Sequence, residues 1–301
     1  MKDLKGKTAF ITGGASGLGL SMAQAFVRQG MNVMIADINE AHLADAKREL
    51  VEMGGKAESV ICDVADRSSI KSAAGKTTAV FGKVHVVCNN AGIGVVGPIG
   101  TIAEKDWDWI FDVNLKGMIA GTEIFLPLIE SHGEGGHFVN TGSMSSLVVR
   151  PGREPYAATK FAILALSEGW QIQLEPKNIG VSVLCPGYVR TRLGESGKAR
   201  QEKYGGPKES MGREQPQRQS PMMTESLMPP EPVGELVVEA IKANALYIIT
   251  HPEMKPVVEA RCARLLRAFD RAAKSPAIAH LPKGSLPQQD VELAKRFNED
   301  I

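Results

Sequence analysis

Cysteine is scarce in this chain of 301 residues: Cys62, Cys88, Cys185 and Cys262 are the only four, and no two form a C-x-x-C pair. That spacing supports neither a disulfide framework nor a zinc knuckle. The first three lie in apolar, strand-like runs and read as small core residues. Six histidines show no H-E-x-x-H pattern, so no metal is expected. An excess of either charge is also missing. Lys plus Arg number 35 against 34 Asp plus Glu, a net charge of +1, which offers nothing to nucleic acid or to an anionic membrane. No apolar run is long enough to cross a bilayer, and a strand-like run starting at Thr8 leaves no room for a signal peptide. A cytoplasmic protein is expected. No tandem repeat breaks the chain, and 43% apolar residues suffice for a large core.

What is present begins at the N-terminus. Thr8-Ala9-Phe10-Ile11 reads as a buried strand, Thr12 to Gly19 as a glycine-rich turn, and Leu20, Met22, Ala23, Phe26 and Val27 as the apolar stripe of a helix. Strand, glycines and helix in that order form a cradle for a pyrophosphate at unpaired helix amides. Gly13, Gly17 and Gly19 give the spacing G-x-x-x-G-x-G, with Ser16 and Leu18 between them. A second apolar run, Asn32 to Ala36, ends at Asp37 and Ile38, where an acid can accept from both hydroxyls of an adenosine ribose. A 2′-phosphate there would meet a like charge, costing up to about 4 kcal/mol per pair at 4 Å and an effective dielectric near 20. No Lys or Arg occupies the turn or the two positions after Asp37. NAD is therefore preferred to NADP.

Further along, Tyr156 and Lys160 stand one helical turn apart in Tyr-Ala-Ala-Thr-Lys. A free phenol, with a pKa of about 10, exchanges protons poorly at neutral pH. A fixed cation beside it favours phenolate; lowering the pKa by about 3 units takes about 4 kcal/mol.

With these motifs together, the chain resembles the short-chain dehydrogenase/reductase family. Besides the glycine turn and Tyr-x-x-x-Lys, it carries Asn89-Asn90-Ala91-Gly92, Asn114 in Asp-Val-Asn-Leu, Ser143 after Phe138 to Gly142, and Pro186-Gly187-Tyr188-Val189-Arg190-Thr191. The resemblance covers residues 4–192. Short runs at 194–200 and 246–253 also resemble the bacterial Cα-dehydrogenases that oxidise benzylic alcohols of lignin-derived aryl ethers, which points to a bulky, aromatic secondary alcohol.

The resemblance implies roles residue by residue. Tyr156 exchanges the proton on the substrate oxygen, Ser143 orients that oxygen, Lys160 lowers the tyrosine pKa and holds the nicotinamide ribose, and Asn114 fixes a water that links Lys160 to solvent. Asp63 and Val64 meet the adenine, and Asn90-Ala91-Gly92 packs against its ribose. Pro186, Gly187, Val189 and Thr191 surround the nicotinamide. Met144, beside Ser143 and Tyr156, and Tyr188 are candidate substrate contacts. Homodimers or homotetramers are expected.

The expected fold is α/β, a Rossmann-like doubly wound parallel sheet. Residues 1–250 form the dehydrogenase domain, and 251–301 a helical and extended extension of it. Residues 193–232 are long, polar and rich in Gly and Pro, and read as a mobile lid. Within it Met222, Met223, Leu227 and Met228 form an apolar cluster able to cover a substrate. Val257 to Ala273 has helical spacing, and the proline-containing end reads as an extended tail. The leading reading is an NAD-dependent dehydrogenase interconverting a secondary alcohol and a ketone. An NADPH-dependent biosynthetic ketoreductase and a non-catalytic nucleotide sensor or scaffold are the alternatives.

Overall fold

The computed structural model describes residues 1–208, 227–282 and 284–298. Seven parallel strands form one sheet in the order β3-β2-β1-β4-β5-β6-β7. They are β1 (Thr8–Thr12), β2 (Asn32–Asp37), β3 (Lys56–Ile61), β4 (Val86–Asn89), β5 (Gly136–Thr141), β6 (Ile179–Cys185) and β7 (Tyr247–Ile249). Such strands are covered on both faces, which is why β1 and β5 are buried at every position and read as unbroken runs, not alternating ones. One core cluster lies under α1 (Gly17–Arg28) and centres on Phe26, Ile35 and Val237; a second is built on Phe10, Phe125 and Phe138, and a smaller third on Ile93, Trp109 and Tyr204. The aromatic pair Phe10 and Phe125 meets at a centroid distance of 4.4 Å.

Between strands run α2 (Glu40–Glu52), α3 (Arg67–Phe81), α4 (Glu104–Ile110), α5 (Gly117–His132), α6 (Glu154–Leu174) and α7 (Glu231–Ala243). Local chemistry sets their starts. The side chains of Asn39 and Asp66 accept from the amides of His42 and Ser68, and Pro155 occupies the first turn of α6. Chain order reverses in space between β1 and β4, and a crevice opens there beyond the strands' carboxyl ends. No helix among the described residues is long and apolar enough to cross a membrane.

Met1 to His251 form one compact unit, and the residues from Pro252 onward a second. The second contains α8 (Lys255–Ala273), at the position the periodicity predicts, and α9 (Gln288–Asn298). The expected extended tail is thus partly helical. The stretch after Pro287 contains no proline, starts with Asp290 in its first turn and ends with Lys295 and Arg296, matching the helix dipole.

The segment read as a lid divides in two. Residues 209–226, with Met222 and Met223, lie outside the described residues. Residues 192–208 form two 3-10 stretches, Arg192–Ala199 and Glu202–Tyr204, and are anchored by two buried side chains. Tyr204 is buried and donates to Asp112 at 2.6 Å, and the buried Arg200 pairs with Asp106 at 2.6 Å. A cation brought out of water needs such a partner. Met228 packs against the main core and does not stand over the cleft. It is bridged to Val189, with its amide donating to Tyr188 and its carbonyl accepting from Arg190.

Candidate active site

A cleft of about 550 Å³ crosses the carboxyl ends of the strands. That volume lies within the usual range of cofactor sites. Its floor is the glycine turn between β1 and α1. Gly13 and Gly17 have φ of +61° and +53°, and a Cβ on Gly13 would lie 2.9 Å from Ala91 Cα. One on Gly19 would fall 2.0 Å from the Gly13 carbonyl oxygen. Only glycine lets these backbones approach so closely. Ser16, Leu18, Asn90, Ala91 and Gly92 line the same floor. Thr12 ties it to β4, its hydroxyl accepting from the amides of Asn90 and Ala91. The turn therefore fits a dinucleotide's diphosphate.

Asp37 ends β2 beside this turn. Its carboxylate accepts from the amides of Ala15 at 3.4 Å and Asn39 at 3.0 Å, which fixes it facing the cleft with Ile38 alongside. The chain brings a cation here that linear spacing did not reveal. Arg192, 150 residues from His42, donates to its Nε2 at 2.6 Å, and both line the cleft with Asp37. Asp63 and Val64 follow β3 and form the far wall.

At the opposite end, Ser143, Tyr156 and Lys160 line the cleft together. Ser143 caps a 3-10 turn, Met144–Ser146, that also holds the Met144 amide on the Pro186 carbonyl. Lys160 is buried and donates to the carbonyl of Thr141 at 2.7 Å, with its nitrogen 5.4 Å from the Tyr156 ring centre. Burial pushes its pKa down to about 8. Burial also raises the Tyr156 pKa, against a hydrogen bond with Ser143 that favours ionisation. Desolvation thus works against the lowering that a neighbouring ammonium favours.

Asn114 lies in a π-helical turn, Phe111–Lys116, joining α4 to α5. Its side chain is fully engaged: Oδ1 accepts from the Ile93 amide at 2.8 Å, and Nδ2 donates to the Ile93 carbonyl and Thr159. A Cβ on Gly92 would lie 3.4 Å from Asn114 Oδ1 and 3.6 Å from Lys160 Nζ, so the glycine leaves a gap between them. Pro186, Gly187, Val189 and Thr191 line the cleft as expected. The Gly187 amide donates to Thr250 and His251, so the end of β7 braces this wall. Met144 is buried, and neither it nor Tyr188 lines the cleft; Tyr188 instead accepts from Arg150 at 2.9 Å.

Among the described residues one side-chain group resembles a metal site: His85, His132 and Glu134 at the amino end of the sheet. Its ring nitrogens are already engaged. Nδ1 of His85 accepts from the Thr8 amide, which places the proton on Nε2 facing Glu134. Nδ1 of His132 accepts from the Glu134 amide, and Nε2 donates to Val84. Lys7 and Lys83 neutralise the carboxylate.

Comparisons with known proteins agree with this geometry. The short chain dehydrogenase family matches residues 7–202. Over 260 residues the chain is 34% identical to a C alpha-dehydrogenase of Sphingobium sp., covering 86% of this chain and 85% of that protein. A short chain dehydrogenase/reductase of Burkholderia phymatum in complex with NAD superposes with a TM-score of 0.80 at 30% identity, over 95% of this chain and 100% of that one. The apo form of LigO from Sphingobium sp. does so with a TM-score of 0.78 at 30% identity, over 100% and 99%.

Proposed function

Since the chain belongs to the short chain dehydrogenase family, we propose that it is an NAD-dependent oxidoreductase that interconverts a bulky, aromatic secondary alcohol and its ketone. The observation that carries this reading is the convergence of Ser143, Tyr156 and Lys160 at one end of the cleft floored by the glycine turn. Asp37 facing that cleft, and the NAD bound by the Burkholderia relative, support the choice of cofactor. The 34% identity to a C alpha-dehydrogenase over most of both chains supports the substrate class.

When bound, the nicotinamide ring takes up or gives back a hydride at the substrate carbon. The protein's own residues manage the oxygen and its proton. Ser143 donates to the substrate oxygen and orients it. The phenol oxygen of Tyr156 takes the hydroxyl proton during oxidation and returns it during reduction. Lys160, held by Thr141, supplies positive charge beside that oxygen and a donor for the nicotinamide ribose. The gap left by Gly92 between Lys160 and Asn114 admits a water that carries the proton onward. Pro186, Gly187, Val189 and Thr191 would hold the nicotinamide. Homo-oligomerisation is part of the proposal, and the exposed Leu265, Leu266 and Phe269 of α8 are consistent with a covered face.

NADP use is a second reading with its own observation, because Arg192 stands at the ribose end of the cleft. One experiment tests the main reading. Aryl, steroid, sugar and aliphatic carbinols are screened for reduction of NAD and NADP by wild type and Tyr156→Phe. Bulky aryl carbinols with NAD should turn over fastest, and Tyr156→Phe should lose about 10²–10⁴-fold in kcat. Unchanged turnover by Tyr156→Phe would end the catalytic assignment.

A further inference from the structure

Thr250 and His251 follow β7, are buried at 3% and 9% exposure, and do not line the cleft. Both meet the Gly187 amide, which stands 3.2 Å from Thr250 Oγ1 and 3.2 Å from His251 Nδ1. The Thr250 hydroxyl lies 2.6 Å from the same ring nitrogen. A backbone amide can only donate, so Nδ1 carries no hydrogen and Nε2 does. The Thr250 hydroxyl then donates to Nδ1 and shares the amide through its own lone pairs. A Cβ on Gly187 would fall 2.5 Å from His251 Cγ and 2.7 Å from Cδ2 and Nδ1. The imidazole therefore fills the space directly behind the wall that Pro186 and Gly187 present to the cleft.

The other edge of that peptide faces the reacting centre. The Pro186 carbonyl accepts from the Met144 amide at 2.9 Å, and the Ser143 hydroxyl lies 3.5 Å from it. The bond between Pro186 and Gly187 is trans, so its C=O and N–H point in opposite directions on one rigid plane. Thr250 and His251 grip one edge of this plane, and the turn that carries Ser143 rests on the other. Donation by the N–H also polarises the plane and strengthens its carbonyl as an acceptor.

We propose that His251, together with Thr250, is a positioning residue for Ser143, acting through the Pro186–Gly187 peptide to hold the serine hydroxyl where it meets the substrate oxygen. The proposal rests on the catalytic reading of Ser143 and deepens it by adding the end of β7 to the machinery. Without an acceptor for the Gly187 amide the plane is free to tilt, and the Pro186 carbonyl moves together with the turn seated on it. The effect falls on the chemical step, because the diphosphate turn and Asp37 lie at the ends of β1 and β2.

Kinetics with NAD and the fastest-reacting aryl carbinol are compared for wild type, His251→Leu, His251→Asn, Ser143→Ala and the Ser143→Ala/His251→Leu double variant. His251→Leu should lose about tenfold or more in kcat, while NAD affinity measured by calorimetry stays within about threefold. His251→Asn, whose Oδ1 restores an acceptor close to the place of Nδ1, should return to within about threefold of wild type. On the Ser143→Ala background the leucine substitution should cost less than about threefold, since the two residues act as one unit. Unchanged kcat in His251→Leu, or a loss that multiplies fully with that of Ser143→Ala, overturns the proposal. If His251→Leu fails to fold, Thr250→Val removes only a hydroxyl and should lower kcat about threefold or more; no loss there overturns it equally. Nitrogen NMR of the cofactor-free protein with isotope-labelled histidine should find the His251 ring hydrogen on Nε2, and a hydrogen on Nδ1 would contradict the contact itself. Full activity in Ser143→Ala would instead overturn the reading of Ser143 on which the proposal stands.

Discussion

The ammonium of Lys160 donates to the carbonyl of Thr141 at 2.7 Å, at the end of β5 and out of reach of bulk water. This contact and the burial around it give the first prediction. Burial lowers the Lys160 pKa from 10.5 to about 8 in the folded protein. Between those values the unfolded chain holds more protons, so stability rises with pH across the window. Below pH 8 the cost of the buried charge is fully present, on the order of 3 kcal/mol. Urea midpoints of the cofactor-free protein at pH 7 to 10 should therefore rise for wild type relative to Lys160→Met. Parallel profiles would show that the ammonium is not desolvated as described.

The proposed preference for NAD turns on Asp37 and Arg192, which line the same end of the cleft. Asp37→Ala should lower the NAD/NADP ratio of kcat/KM at least tenfold, about 1.4 kcal/mol, mainly by admitting a 2′-phosphate. Adding Arg192→Ala should then cost NADP more than NAD, because it removes the guanidinium that stands at His42 beside the ribose end of the cleft. Cofactor selectivity unchanged by either substitution would remove both residues from the ribose site.

Gly19 admits no side chain. A methyl group would meet the Gly13 carbonyl at 2.0 Å and Asn90 Nδ2 at 2.8 Å, and a backbone carbonyl has little room to yield. Gly19→Ala should destabilise the fold by about 1–3 kcal/mol and weaken dinucleotide binding at least tenfold. Thermal melts and equilibrium titration check the two effects separately.

Zinc should not bind at His85, His132 and Glu134. Each imidazole already uses its lone pair to accept a backbone amide, and two lysines hold the carboxylate. Micromolar zinc should leave the melting temperature unchanged in wild type, as in Glu134→Gln. Zinc-dependent stabilisation of wild type alone would show that the tautomers rearrange.

The sequence carried the parts of this site whose geometry is local. The glycine turn, Asp37 and the Tyr156–Lys160 turn each lie within a few residues of one strand end or helix start, where periodicity and turn chemistry dictate position. Strand-like runs alternating with helical patterns likewise point to the parallel sheet. The rest depends on contacts between distant residues: Arg192 with His42 across 150 positions, Gln201 with Asp63 across 138, and Tyr204 with Asp112 across 92. A polar, glycine-bearing segment gives no linear sign that Arg200 and Tyr204 will find partners on α4 and the π turn. The desolvation around Tyr156 and Lys160 is hidden for a similar reason. Spacing shows that Lys160 is near, but not that both groups leave water.

The bridge between Val189 and Met228 brings two points 39 residues apart in the chain side by side. The chain thus leaves Val189 and rejoins at Met228 at adjacent points, beside the cleft wall formed by Pro186, Gly187 and Val189. Exchanging the stretch between relatives would carry the cleft residues Thr191 and Arg192 with it, so cofactor preference and substrate range should shift together.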